Sequence, residues 1–446
     1  MQASQTVNDS VSSDPRPRSA VSAGVGLAGM VGMLIWVVMA HVQQLDGPLA
    51  AAMAVAACGV PMVLWSVLVD KVHRHPTTGI DWTGPARPWG EVRATSAVKL
   101  IGLWGTWIVI GFFYALGRWY WEGAYLAAMQ LLIAAIPALL LLSIPYVVLV
   151  DRRMREPRDG LWVFGNWLMR RHDRADDERL YDHVRAWGMK AFFTAFMISI
   201  VPGNWVEMIR WHESNSLNSP VGIVRWLIAM MFLFDVAFAT VGYLLTCKPL
   251  DAHIRSANPY AAGWTAALIC YPPFVLMGDG GPLNYHPGTA EWSYWLEGQP
   301  VALGFIGAML VVLTAIYAWA TIVFGLRFSN LTHRGIITHG PYAWTKHPAY
   351  VSKNLFWWLA TMPLLTTGAA IDLIRATGLL LLVSGVYYWR ARTEERHLLA
   401  APDYVAYARW MERHGPIPLL CGWLRARCGM RPPAYGDQAE AGVKTP

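Results

Sequence analysis

The sequence predicts an all-α fold: a polytopic integral membrane protein of about ten transmembrane helices with both termini cytoplasmic. Three observations carry this expectation. The 446 residues are 55% hydrophobic and only 15% charged, against about 25% charged in ordinary soluble domains. Several windows reach the roughly 20 apolar residues that a bilayer-crossing helix needs, most clearly 21–41 and 124–150. Lysine and arginine, finally, gather on alternate loops.

Taken in order, the first 20 residues are polar and Ser-rich and are expected to form a disordered tail. The apolar run after them is too long for a signal-peptide core and lacks a convincing cleavage site, so it is expected to be retained as the first span. Window hydropathy places spans near 21–41, 48–69, 98–116, 124–150, 188–203, 223–247, 262–277, 301–325, 349–366 and 371–389. With a cytoplasmic N-terminus, the inside loops are 70–97, 151–187, 248–261, 326–348 and the C-terminal tail. Loop 151–187 holds nine arginines, whereas the outside loops 42–47, 278–300 and 367–370 hold no Lys or Arg. That asymmetry follows the positive-inside rule. It also explains the formal charge of +7 better than a nucleic-acid partner does, so none is expected.

The seventh span is short and broken by Pro272-Pro273, and the Trp-rich loop 278–300 after it suits the outer interface. Asp235 sits in the middle of the sixth span; an intramembrane carboxylate is either functional or a hydrogen-bonded packing contact. Gly24-Val25-Gly26-Leu27-Ala28-Gly29 satisfies a dinucleotide-binding pattern, but no strand precedes it. Its small residues are expected to let helices approach closely. Five cysteines show no metal spacing, and no metal site is expected.

The polar residues concentrate late in the chain. ITHGPYAWTKHPAYVSKN, residues 337–354, places His339, Lys346 and His347 in a loop punctuated by Gly340-Pro341 and His347-Pro348. Proline fixes its own φ and biases the residue before it, so this loop is shaped rather than floppy. The last span has no breaker before Ala401 and should continue beyond the membrane. On it Arg390 and Glu394 are four apart, as are Arg392 and Arg396. An amphipathic helix follows Pro402, with Asp403 as its cap, Gly415 as its close and Tyr404 and Tyr407 on one side. Singly, each of these residues reads as a solvated loop or a surface salt bridge.

Together, HGPY (339–342), KHPAY (346–350), a hydrophobic hairpin, the EER of 394–396 with Leu398 and Leu399, and then Tyr404 and Tyr407 resemble the isoprenylcysteine carboxyl methyltransferase family with its phospholipid methyltransferase relatives. The resemblance covers about residues 300 to 420. It divides the chain into a tail (1–20), an N-terminal transmembrane region (21–277), an extracytoplasmic loop (278–300), a methyltransferase-like membrane domain (301–425) and a C-terminal tail (426–446).

The resemblance implies S-adenosylmethionine at the cytoplasmic end of the last helices of a bacterial inner-membrane protein, and a lipid-like small-molecule acceptor such as an isoprenylcysteine carboxylate. The cofactor-binding positions it implies are His339, Gly340, Tyr342, Lys346, His347, Tyr350, Glu394 and Glu395. Either glutamate could hold the amino or ribose groups, His347 and the backbone near Gly340 the carboxylate or adenine. The Tyr342 and Tyr350 rings could face the sulfonium. Arg392 or Arg396 is the expected grip on the acceptor. Lys346 departs from the arginine usual before His-Pro, which retains charge but loses the planar fork. Two other readings compete. Sterol reductases have a similar span count and a related NADPH-binding half, but favour an Asn-Tyr stretch and an RDE-like triplet where this chain has KHPAY and TEER. A transporter or scaffold on the same fold would not need the polar cluster.

Overall fold

The structure is a computed structural model that describes residues 16–171, 173–210 and 219–427. The outermost parts of both predicted tails, 1–15 and 428–446, lie outside the described residues. Helices dominate: α1 (Ala23–Val42), α2 (Pro48–Leu68), α3 (Trp89–Leu116), α4 (Gly123–Asp151), α5 (Gly160–Leu168), α6 (Asp177–Ile209), α7 (Pro220–Leu244), α8 (Ala261–Leu268), α9 (Trp292–Trp295), α10 (Pro300–Ile322), α11 (Pro348–Thr361), α12 (Ala370–Leu398), α13 (Pro402–His414) and α14 (Pro416–Arg427). Eight of them, α1 to α4, α6, α7, α10 and α12, are long and apolar enough to cross a membrane. The chain is a multi-pass membrane protein.

Eight of the ten expected spans therefore correspond to full-length helices, and two do not. The seventh ends at Leu268 as an eight-residue helix, because Pro272 and Pro273 have no N–H to donate and their ring clashes with a continuing helix. The ninth, α11, has 14 residues and stops where Met362 turns left-handed before Pro363. At 1.5 Å per residue it covers about 21 Å, short of the ~30 Å hydrocarbon core.

Helix starts follow local chemistry. Pro48, Pro220, Pro300, Pro348 and Pro402 open their helices, where the missing N–H costs nothing. The Ser219 hydroxyl accepts from the Gly222 N–H at 3.0 Å. Ala401, not Asp403, is the N-cap of α13, since Pro402 occupies the first helical turn. The Asp403 carboxylate faces His333 at 3.5 Å and Arg255 at 3.7 Å instead. Burial opposes its ionisation, yet the His333 hydrogen bond and charge hold its carboxyl below the usual range.

The largest core cluster joins α1, α2, the end of α6 and α7 through Met33, Cys58, Met62, Trp205, Leu233 and Phe238. The glycine-rich run of α1 serves this contact. A Cβ at Gly26 would lie 2.9 Å from Ile322, and one at Gly29 would lie 2.6 Å from Met62 Sδ.

Four loops that carry the basic residues meet at one end of the bundle. Lys99 near the start of α3 pairs with Asp151 (2.6 Å) and Asp159 (3.0 Å), and Lys248 also reaches Asp159 (3.3 Å). Asp251 accepts from Thr77 and Arg327, both at 2.7 Å. Strand β1 (Ser256–Ala257) pairs antiparallel with β2 (Thr332–His333). Residues 16–20, part of the expected tail, pack here too: Ala20 donates to Ile336 O at 2.8 Å, and Arg16 lies over Trp410.

Candidate active site

A cleft opens at this end between α10, α11, α12, α13 and the loop 323–347. Together with its open mouth it encloses about 1250 Å³ of empty space. Helical periodicity supplies the walls. Tyr387, Arg390, Glu394 and His397 fall on one face of α12, while Tyr350 and Lys353 recur along one face of α11 and His347 caps its start. Tyr404 and Tyr407 of α13 close the outer side.

The loop is held rigidly. Arg334, fully enclosed, donates to the backbone carbonyls of Ala252, Gly242, Phe328, Leu245 and Leu326. Burial and the nearby Arg327 charge pull its guanidinium down to about 9. Gly340 has φ +60°, and a Cβ there would stand 2.9 Å from Val323, so only glycine fits this turn. Tyr407 donates to the Tyr342 carbonyl at 2.8 Å. Burial pushes the Tyr342 hydroxyl well above its ordinary pKa, so it stays protonated.

Two polar clusters face each other across the α11–α12 interface. Glu395, buried, accepts from Lys346 Nζ at 2.8 Å and His347 Nε2 at 2.9 Å on one oxygen, and from Arg392 at 3.0 Å on the other. Glu394 accepts from the Tyr350 hydroxyl and from Arg390 Nε at 3.2 Å. Arg390 also donates to Asn330 Oδ1 at 2.6 Å, and its guanidinium lies 5.2 Å from the Tyr350 ring centre and 5.4 Å from that of Tyr271. The His347 and Tyr350 rings stack, 5.6 Å apart and 7° from parallel. The result is a cleft with carboxylates, fixed cations and aromatic faces, able to hold a ligand that carries both charge signs and a flat group.

Of the sequence-predicted residues, Tyr342, Lys346, His347, Tyr350 and Glu394 line the cleft, and Glu395 fixes two of them from behind. His339 and Gly340 do not line it. His339 Nδ1 meets Ser19 Oγ at 2.9 Å, and both residues shape the turn before Tyr342. Arg392 and Arg396 lie on other faces of α12: Arg392 is 41% exposed, and Arg396 covers the Tyr260 ring at 4.2 Å. The α12 guanidinium that lines the cleft belongs to Arg390, which sequence reasoning marked only as a helix-surface partner of Glu394. Tyr271, Tyr317, Asn330 and Lys353 went unremarked. A lysine inside an apolar segment was the available signal for Lys353.

A curated relative, the cobalt-zinc-cadmium resistance protein CzcN of Cupriavidus metallidurans, is 29% identical over 125 residues, 27% of this chain and 52% of that protein. The chain thus spans about half the length of the curated relative it matches. No solved structure matches. Residues 299–400, which supply α10, α11, α12 and the loop around the cleft, match the isoprenylcysteine carboxyl methyltransferase (ICMT) family.

Proposed function

We propose that the chain is an S-adenosylmethionine-dependent methyltransferase of a bacterial inner membrane, with its cleft toward the cytoplasm and a lipid-like acceptor methylated on oxygen. The observation that carries this reading is the pairing of Lys346 and His347 with Glu395, and of Tyr350 and Arg390 with Glu394. Both pairings lie in a family-matched segment at the foot of a membrane helix.

The residues fit the methyl donor. It presents a cation, a carboxylate, an amine and an adenosine; the cleft offers the Glu394 carboxylate, the Lys346 and His347 donors, and the Tyr342 and Tyr350 rings. When bound, the donor supplies an electrophilic methyl group on a positively charged sulfur. The protein's share is positioning. Its fixed ion pairs hold the walls of the cleft before ligands arrive, and pre-set geometry supplies much of the acceleration of a bimolecular displacement.

The reading is tested by mixing membranes that contain the protein with S-adenosylmethionine labelled in the methyl group. Label is expected in the lipid extract, each labelled species heavier by one CH₂, and absent with Glu394→Ala. Equal label with and without the protein would refute it.

A further inference from the structure

The inner end of the cleft holds polar groups that the donor site does not need. Lys353 lies three residues beyond Tyr350, about 4.5 Å further along α11. Its ammonium stands 5.0 Å from the Trp357 ring centre and 5.5 Å from those of Tyr317 and Tyr387. It lines the cavity, yet it makes no hydrogen bond or ion pair with any described residue. Three N–H donors in an aromatic surround feel the charge of Asp235 but have no acceptor among the described residues within hydrogen-bond distance, which leaves them open to a ligand oxygen.

Tyr317 and Thr321 of α10 line the same end. Both give their hydroxyl protons to Asp235 of α7, Tyr317 at 3.0 Å. Their oxygens are therefore left as acceptors toward the cavity. The inner end thus presents a donor, Lys353, beside acceptors oriented by a carboxylate.

We propose that this end is the acceptor subsite, and that it takes the hydroxyl of a lipid-soluble alcohol or phenol between Lys353 and Tyr317. The proposal rests on the methyl-transfer reading above. A hydroxyl both accepts from Lys353 and donates to Tyr317. A carboxylate has no proton for Tyr317, and an ammonium has no lone pair for Lys353. In the reaction the hydroxyl oxygen bonds to the methyl carbon as the carbon–sulfur bond breaks, its electron pair going to sulfur. The hydroxyl proton passes to the Tyr317 oxygen while Tyr317 gives its own to Asp235. The products are a methyl ether, a neutral thioether and a protonated Asp235, which returns its proton to solvent. Asp235 acts through Tyr317 and is a positioning residue and proton acceptor, not a contact of the substrate.

The test uses the full chain in detergent, with para-dodecylphenol, dodecanoate and dodecylamine as probes of one chain length, and equilibrium dialysis of S-adenosylmethionine alongside. The wild type is expected to bind the phenol at least about tenfold more tightly than either charged probe, the size of a hydrogen bond to a charged group. Lys353→Met and Tyr317→Phe should each lose that preference and Lys353→Arg should keep it. The affinity for S-adenosylmethionine should stay within about twofold throughout, which also shows that the variants fold. Equal or tighter binding of dodecanoate, unchanged preference in both variants, or donor affinity that falls with Lys353 would overturn the proposal. Phenol preference without any binding of S-adenosylmethionine would instead remove the methyl-transfer reading and leave the hydroxyl site standing.

Discussion

His347 and Glu395, 48 residues apart in sequence, meet at 2.9 Å across the α11–α12 interface, with Lys346 on the same carboxylate oxygen at 2.8 Å. Removing that carboxylate strands two donors in a nearly enclosed place. Glu395→Ala should therefore destabilise the protein by about 3 kcal/mol, the order expected when one partner of a buried pair is lost. Thermal unfolding in detergent checks this, and affinity for S-adenosylmethionine should fall in parallel.

Arg390 and Arg392 are two residues apart on one helix and should behave oppositely. Arg390→Lys keeps the charge but cannot hold Asn330, Glu394 and Tyr271 with one planar fork. Methyl transfer should slow by about 100-fold, the scale of a misplacement of roughly 1 Å. Arg392→Ala removes a 41%-exposed partner of Glu395 and should cost no more than about 1 kcal/mol of stability. Transfer rates and melting curves of the two variants decide between these effects.

This contrast also marks what the sequence could show. The motifs HGPY, KHPAY and EER located the cleft, because each places proline, glycine or charge where an apolar chain has no other use for them. The face of α12 was not legible. Arg390, Arg392 and Arg396 all sit at plausible spacings, and only the packing of α11 and α13 decides which guanidinium turns inward. The two shortened spans were misjudged because hydropathy counts apolar residues and gives no weight to where backbone hydrogen bonds stop. Asp235 was visible as an intramembrane carboxylate, but its partners Tyr317 and Thr321 come from a helix 82 and 86 residues away.

Far from the cleft, Lys99 holds two carboxylates, Asp151 at 2.6 Å and Asp159 at 3.0 Å, while itself almost fully enclosed. Lys99→Met leaves both acids without that cation. The expected loss is about 3–5 kcal/mol, seen as a lower melting temperature. Because the pair lies outside the cleft, affinity for S-adenosylmethionine in the fraction that remains folded should not change.

His253 gives a pH dependence. Burial first, and the Lys248 charge second, lower its pKa from 6.5 to about 4. The folded state keeps the ring neutral while the unfolded chain protonates it, so acid favours unfolding. The stability is complete above pH 6.5 and is lost progressively as the pH falls toward 4. His253→Gln should flatten the fall in melting temperature across that window. An unchanged slope would assign the acid sensitivity to other groups.

The cleft between the last helices is proposed to hold a methyl donor. Calorimetric titration of the purified full chain with S-adenosylmethionine and, separately, with NADPH tests it most directly. Saturable binding of S-adenosylmethionine at one site, abolished by Glu394→Ala, and no binding of NADPH are expected. Preference for NADPH, or no binding of either, would contradict it.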